Sequence, residues 1–177
     1  MGEPLPRYRY HPDPIATGAV EASPLACACC GRARGYVYAL HVYCAAEVGR
    51  VCPWCIADGA AARMFDATFV DTRSLERVGI RDDVVREVAE RTPGYLCWQS
   101  HDWMACCGDA CEFHGDAPEE EMRRLDQDGL VRLSEASMFD VEDLRGMIAT
   151  YVSGCSQAFY KFVCRHCARV HYNADCD

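Results

Sequence analysis

Apolar and polar positions along the chain fall into both helical and extended spacings. In DDVVREVAERTPG, Val84, Val85 and Val88 share a helical face, Asp82 or Asp83 is placed to cap it, and Pro93–Gly94 ends it. FDVEDLRGMIATYVSG repeats apolar residues at Val141, Leu144, Ile148 and Tyr151 behind Asp140, and predicts the best core helix of the chain. DAPEEEMRRLDQDG has acids in its first turn, a thin apolar side of Met122 and Leu125, and Gly129 as terminator, which predicts a surface helix. The β-branched and aromatic runs YVYALHVY (36–43) and AFYKFV (158–163) read as strands. IADGAAARMF reads as a short helix opened by CPWC, with Pro53 in its first turn, where a missing N–H costs least. Residues 1–24 form a Pro-punctuated extended arm.

This pattern leaves little aliphatic core. Leu, Ile, Val and Phe make up 34 of 177 residues, near the level at which a charged chain stays disordered. Nine Tyr, three Trp and 14 Cys are not a disordered composition, so something besides aliphatic packing holds the fold. A structural zinc contributes roughly 10–16 kcal/mol of apparent binding energy, against a typical total stability of about 5–15 kcal/mol.

The net charge is −9, with 20 acids against nine Arg in 66–150. That acidic middle argues against a phosphate-tracking surface and hence against nucleic acid as partner, although Arg32, Arg34, Arg50 and Arg63 gather near the first cysteines. The N-terminus lacks a secretory h-region and no run reaches the ~18 apolar residues of a membrane span. The expectation is a cytoplasmic protein without membrane association, and in a reducing compartment dense cysteines point to metal before disulfides.

Spacing then sorts the cysteines. Cys27–Ala–Cys–Cys30–Gly31 is a C-x-x-C-G knuckle, and Cys52–Pro–Trp–Cys55 sits at a helix start, where thiol pKa values are lowered. Cys27, Cys30, Cys52 and Cys55 can close a tetrahedral S4 shell, with Cys29 as the alternative to Cys27. Knuckle, strand, then helix carrying the second pair is the order of a treble clef. A second set is Cys107 and Cys111 with Cys164 and Cys167, tying the C-terminal hairpin to the middle of the chain; Cys106, His114 and His166 are alternative ligands there. The expected cofactor is zinc at both sites. An iron–sulfur cluster could use the same ligands, and CPWC could be an exchanging dithiol, but AAEVGRV before Cys52 is not the buried strand of a βαβ redox fold. The remaining cysteines read as small buried hydrophobes or exposed thiols.

The motifs RYRYHPDPIATGAVE, RGYVY, CPWCIADGAAARMFDATF, ERTPGYLCWQ, CGDACEF and FVCRHC span nearly the whole chain. In them the chain resembles the CbrC family of bacterial proteins, whose name is associated with colicin tolerance; the resemblance implies no catalytic residues. HGDAPEEEM departs from the Gly-rich aromatic stretch of that family, and Cys106 stands where members tend to have His.

The expected fold is α+β: a 1–24 arm, a treble-clef- or zinc-ribbon-like unit over 25–70, and a helical segment with a zinc hairpin over 71–177, packed as one domain. The expected function is a zinc-stiffened module that binds another protein, linked through the resemblance to colicin tolerance or stress. One alternative is an enzyme acting on a small-molecule substrate, with His101 and Asp102 or Asp58 as acid/base groups near Trp98 and Gln99. The other is thiol redox at Cys52 and Cys55. The plainer reading of the same residues makes Trp54, Trp98 and Trp103 core anchors and Asp58 and Asp109 acceptors in tight turns. No P-loop, nucleophile elbow, dinucleotide fingerprint or H-E-x-x-H occurs.

Overall fold

The computed structural model describes residues 3–98 and 102–176, a mixed α+β fold. β1 (Val20–Ala22) pairs antiparallel with β2 (Tyr36–Tyr38), and the first cysteine knuckle lies between them. α1 (Pro53–Ala57), α2 (Ala60–Phe65), α3 (Arg73–Arg77) and α4 (Asp82–Arg91) follow. A small hairpin of β3 (Ala105–Cys106) and β4 (Asp109–Ala110) leads into β5 (Glu112–Asp116). After α5 (Glu119–Arg123), α6 (Gln127–Ala136) and α7 (Val141–Thr150), β6 (Gln157–Val163) and β7 (Val170–Cys176) join β5 in an antiparallel sheet of order β5–β6–β7.

Several local readings are corrected. IADGAAARMF is broken at Gly59, whose φ of 73° is easiest for glycine, while Asp58 Oδ1 accepts the Ala60 N–H at 2.7 Å and starts α2. Gly129 does not end a helix: α5 stops at Arg123, and Asp126 caps a new helix by accepting the Gly129 N–H at 2.7 Å. Only Tyr36–Tyr38 of YVYALHVY is strand, the chain then looping out until Tyr43 bridges Thr68. Arg81, not an aspartate, is the cap residue of α4, and Asp82 and Asp83 lie in its first turn. Asp140 caps α7 by accepting from Glu142 and Asp143 N–H, with Leu144, Ile148 and Tyr151 buried beyond it.

β6 explains how few aliphatics suffice. Ala158, Tyr160 and Phe162 face one cluster with Tyr95, Trp103 and Phe113, while Phe159 faces the helices, packing with Met122, Leu133, Leu144 and Tyr151. Tyr95 stacks on Phe113 at a 4.3 Å centroid distance, and Trp103 meets Phe162 edge-on at 5.6 Å. Each such buried ring contributes roughly 1.5–3 kcal/mol through burial, plus about 0.5–1.5 kcal/mol where rings pair. A third cluster holds Tyr38, Trp54, Ile56 and Phe69 around the first thiols.

The N-terminal arm straps these parts together. Tyr8 Oη donates to the Pro53 carbonyl at 2.7 Å, Tyr10 Oη to Asp109 Oδ1 at 2.8 Å, and fully buried His11 bridges the Pro93 carbonyl (2.8 Å) and Thr17 Oγ1 (2.7 Å). No helix among the described residues is long and apolar enough to cross a membrane.

Candidate metal centres

Two knuckles of the same design carry half of the gathered thiols. Cys27 N–H donates to the Arg32 carbonyl at 2.9 Å and Gly31 N–H to the Cys27 carbonyl at 2.8 Å. Cys164 N–H donates to the Arg169 carbonyl at 2.8 Å and Ala168 N–H to the Cys164 carbonyl at 3.0 Å. The loop needs a left-handed residue after its second cysteine: Gly31 has φ 71°, and Ala168 adopts φ 57° in the matching place. Each loop brings two sulfurs to one side.

In the first group the knuckle meets the start of α1. Sγ of Cys27 lies 3.9 Å from that of Cys55, and Sγ of Cys30 lies 3.9 Å from that of Cys52. Cys27 Sγ accepts backbone N–H groups from Cys52 at 3.1 Å and Cys29 at 3.3 Å. Cys27, Cys52 and Cys55 are buried and Cys30 is exposed. All four of these sulfurs fall within 4.8 Å of one another.

The second group differs from expectation in one member. It comprises Cys106, Cys107, Cys164 and Cys167, again within 4.8 Å. Cys106 Sγ stands 3.8 Å from both Cys107 and Cys167. Cys111 is not in the group: it is fully buried, packs in the aromatic cluster, and its carbonyl accepts Trp103 Nε1–H at 2.9 Å. The cause is the hairpin. Cys107 (φ 53°) and Gly108 (φ 73°) form its two-residue turn, with left-handed backbone at both positions. That turn presents the adjacent Cys106 and Cys107 at the tip, while the strand carries Cys111 back into the core. The CG dipeptide was the available signal for it.

Asp109 holds the second group in shape. Its Oδ2 lies 2.9 Å from His166 Nε2 and 3.3 Å from Arg165 Nη1, and Oδ1 accepts the Ala110 N–H at 2.9 Å as well as Tyr10 Oη. Burial alone would raise its pKa, but His166, Tyr10, the Ala110 N–H and Arg165 together pull it below the ordinary carboxylate value. Neither His166 nor His114, which faces Glu112 at 3.3 Å, lies within the sulfur group.

The electrostatics suit a cation. Burial pushes Cys27 up, but N–H groups of Cys30, Cys52 and Cys29 outweigh it and bring the thiol down to about 7. Cys164 is likewise brought down to about 6, burial being overcome by the Cys167 and His166 N–H groups. Cys52, contrary to the helix-start expectation, is pushed up to about 11, chiefly by burial and also by Cys27, against the lowering pull of Cys55. Cys55 and Cys106 are raised further by burial and adjacent sulfurs. Cys27 and Cys164 therefore form thiolates readily, and a positive charge among the sulfurs would favour ionising the raised thiols Cys52, Cys55 and Cys106 as well.

The sulfur separations fit such an ion. A tetrahedral S4 shell with metal–sulfur bonds of about 2.3 Å has edges of about 3.8 Å, whereas a cystine would place its sulfurs about 2.05 Å apart. None of the fourteen cysteines is joined in a disulfide. Both groups could hold a metal ion.

Among the described residues, Asp58 and Asp102 do not converge. Asp58 is committed to starting α2. Asp102 lies 3.4 Å from Arg77 and lines a cleft of about 680 Å³ beside Cys106 and Cys107, to which Asp58 does not contribute. Gln99 and His101 lie outside the described residues. Trp103 is a core anchor and Trp54 is nearly so, with Nε1 donating to the Pro4 carbonyl at 3.0 Å. Trp98 is instead 48% exposed.

Comparison with known proteins corrects the family resemblance. Residues 5–176 match the model of an uncharacterised protein family, UPF0167. A UPF0167 protein of Pseudomonas aeruginosa is 45% identical over 177 residues, covering 99% of both chains. UPF0167 proteins of Mycobacterium bovis and Mycobacterium tuberculosis are each 43% identical over 122 residues, 68% of this chain and 65% of theirs. No solved structure matches the chain significantly. These matches carry the name UPF0167 and not CbrC, so the CbrC assignment falls, and the colicin association that rested on it falls too. Matched along almost its whole length, this chain belongs to the UPF0167 family.

Proposed function

We propose that this protein is a zinc-binding interaction module of the cytoplasm, with two structural tetrathiolate centres whose partner is another protein. The observation that carries the metal reading is the pair of four-sulfur groups with nearest separations of 3.8–3.9 Å. Zinc suits them because a d¹⁰ ion accepts a closed tetrahedral S4 shell and supplies charge without redox chemistry. Cys27, Cys30, Cys52 and Cys55 would hold one ion, and Cys106, Cys107, Cys164 and Cys167 the other. The sequence of knuckle, strand, and helix bearing the second pair supports a treble-clef-like first unit.

The interaction role draws support from apolar side chains left in solvent: Leu96 and Trp98 just before the undescribed 99–101, Val78, and Met138. A redox role for Cys52 and Cys55 is disfavoured, because both are buried and an exchanging dithiol needs an accessible attacking thiol. An acid/base site that joins Asp58 to Asp102 is disfavoured, because Asp58 starts α2 while Asp102 lines the cleft. Elemental analysis of purified protein tests the metal, with two zinc per chain and no visible absorption expected. Affinity capture from the source cells tests the module: a protein retained by the wild type and lost with Trp98→Ser at unchanged zinc content supports it, and identical capture by both contradicts it.

A further inference from the structure

The two sulfur groups differ in what can reach them. In the first, only Cys30 is exposed, and its 3.9 Å neighbour Cys52 is buried beneath the aromatic cluster. In the second, Cys107 and Cys167 are exposed, Cys106 is half-buried, and only Cys164 is sealed. The second group also borders the 680 Å³ cleft through Cys106 and Cys107, which leaves that edge open to small molecules. Cys106 and Cys167 stand 3.8 Å apart on separate segments, the hairpin tip and the knuckle.

We propose that the second centre is a hydroperoxide-reactive site, in which oxidation joins Cys106 to Cys167 and releases the bound ion while the first centre keeps its own; this rests on the zinc reading above. The exposed Cys167 thiolate attacks one peroxide oxygen: an S–O bond forms, the O–O bond breaks, and hydroxide leaves to become water. Cys106 thiolate then attacks the sulfenic sulfur, forming the S–S bond and expelling the second oxygen as hydroxide, which also takes a proton. Two thiolates, one hydroperoxide and two protons thus give one disulfide and two waters, or water and an alcohol from an organic peroxide. Reaching disulfide length needs about 1.8 Å of sulfur movement, within reach of side-chain rotation at two surface segments. With two ligands consumed, two thiolates are too few for a closed zinc shell. The first centre resists because a peroxide reaches it at one sulfur only.

The test uses full-length, zinc-loaded protein, hydrogen peroxide and a metallochromic dye. One equivalent of zinc is expected to appear about tenfold or more faster than the second, peptide mapping should find Cys106 joined to Cys167, and reductant with added zinc should restore both ions. Equal release of both ions, no release, or a first-formed disulfide among Cys27, Cys30, Cys52 and Cys55 would overturn the proposal while leaving two zinc sites standing. A chain carrying no zinc before oxidation would overturn the zinc reading with it.

Discussion

Cys106 and Cys111 have opposite roles that paired substitutions separate. Cys111 is fully buried in one cluster with Trp103, Phe113 and Phe162 and is not a member of the second sulfur group. Cys111→Ala removes one buried sulfur, comparable to a methylene at about 0.8 kcal/mol with a small cavity added, so the cost is about 1–1.5 kcal/mol. For a chain of this length that lowers the melting temperature by about 2–6 °C, with zinc content unchanged at two. Cys106 touches both Cys107 and Cys167 at 3.8 Å, and Cys106→Ser leaves three sulfurs and a poor oxygen ligand. Because a complete site contributes roughly 10–16 kcal/mol, even a fraction of that exceeds the cost at Cys111. Zinc content should fall to one per chain after brief chelation, with a larger drop in melting temperature. Native mass spectrometry beside thermal unfolding reads both quantities. Two zinc ions retained by Cys106→Ser and one by Cys111→Ala would refute the hairpin geometry.

Other outcomes follow from single contacts. His11, fully buried, has its pKa lowered to about 4, chiefly by burial, from an ordinary value of 6.5. The folded state therefore keeps it neutral while the unfolded chain protonates, so stability falls as pH drops from 6.5 and levels off below about 4. The full loss is about 3 kcal/mol, with about 2 kcal/mol gone by pH 5, and urea unfolding of wild type against His11→Gln should show that difference vanish in the variant. Ala168→Gly relieves a left-handed alanine at φ 57°, and the gain, offset by greater freedom in the unfolded chain, should be about 0.5–1 kcal/mol in the same assay. Asp109→Asn leaves His166 and Arg165 facing an amide instead of a carboxylate. It should cost about 1–3 kcal/mol and speed zinc loss to a chelator from the second centre but not the first.

The sequence was most legible where one local rule acts alone. Asp140 and the apolar spacing behind it define α7, and the two C-x-x-C knuckles carry their own turn chemistry. It was least legible where a neighbour decides. Gly129 reads as a stop by composition, yet Asp126 three residues earlier makes it the third residue of α6. The spacing of Cys107 and Cys111 imitates a metal-binding pair, but the left-handed Cys107–Gly108 turn sends Cys111 inward and brings Cys106 to the tip. Adjacent cysteines seldom share one ion in extended chain; at a two-residue hairpin tip both can face it. Trp98 shows the same limit, since aromatic type alone does not distinguish a core anchor from a ring left in solvent. The strap was visible as an extended arm, but not its targets, because Tyr8 and Tyr10 meet Pro53 and Asp109 across 45 and 99 residues of sequence.

The most direct measurement is the mass of the natively folded chain beside that of the same sample denatured in acid without reductant. The native mass should exceed the denatured one by two zinc ions less the protons they displace, and the denatured mass should correspond to fourteen free thiols. A native mass with no metal, or a denatured mass short by the hydrogens of cystines within the two groups, would contradict the account.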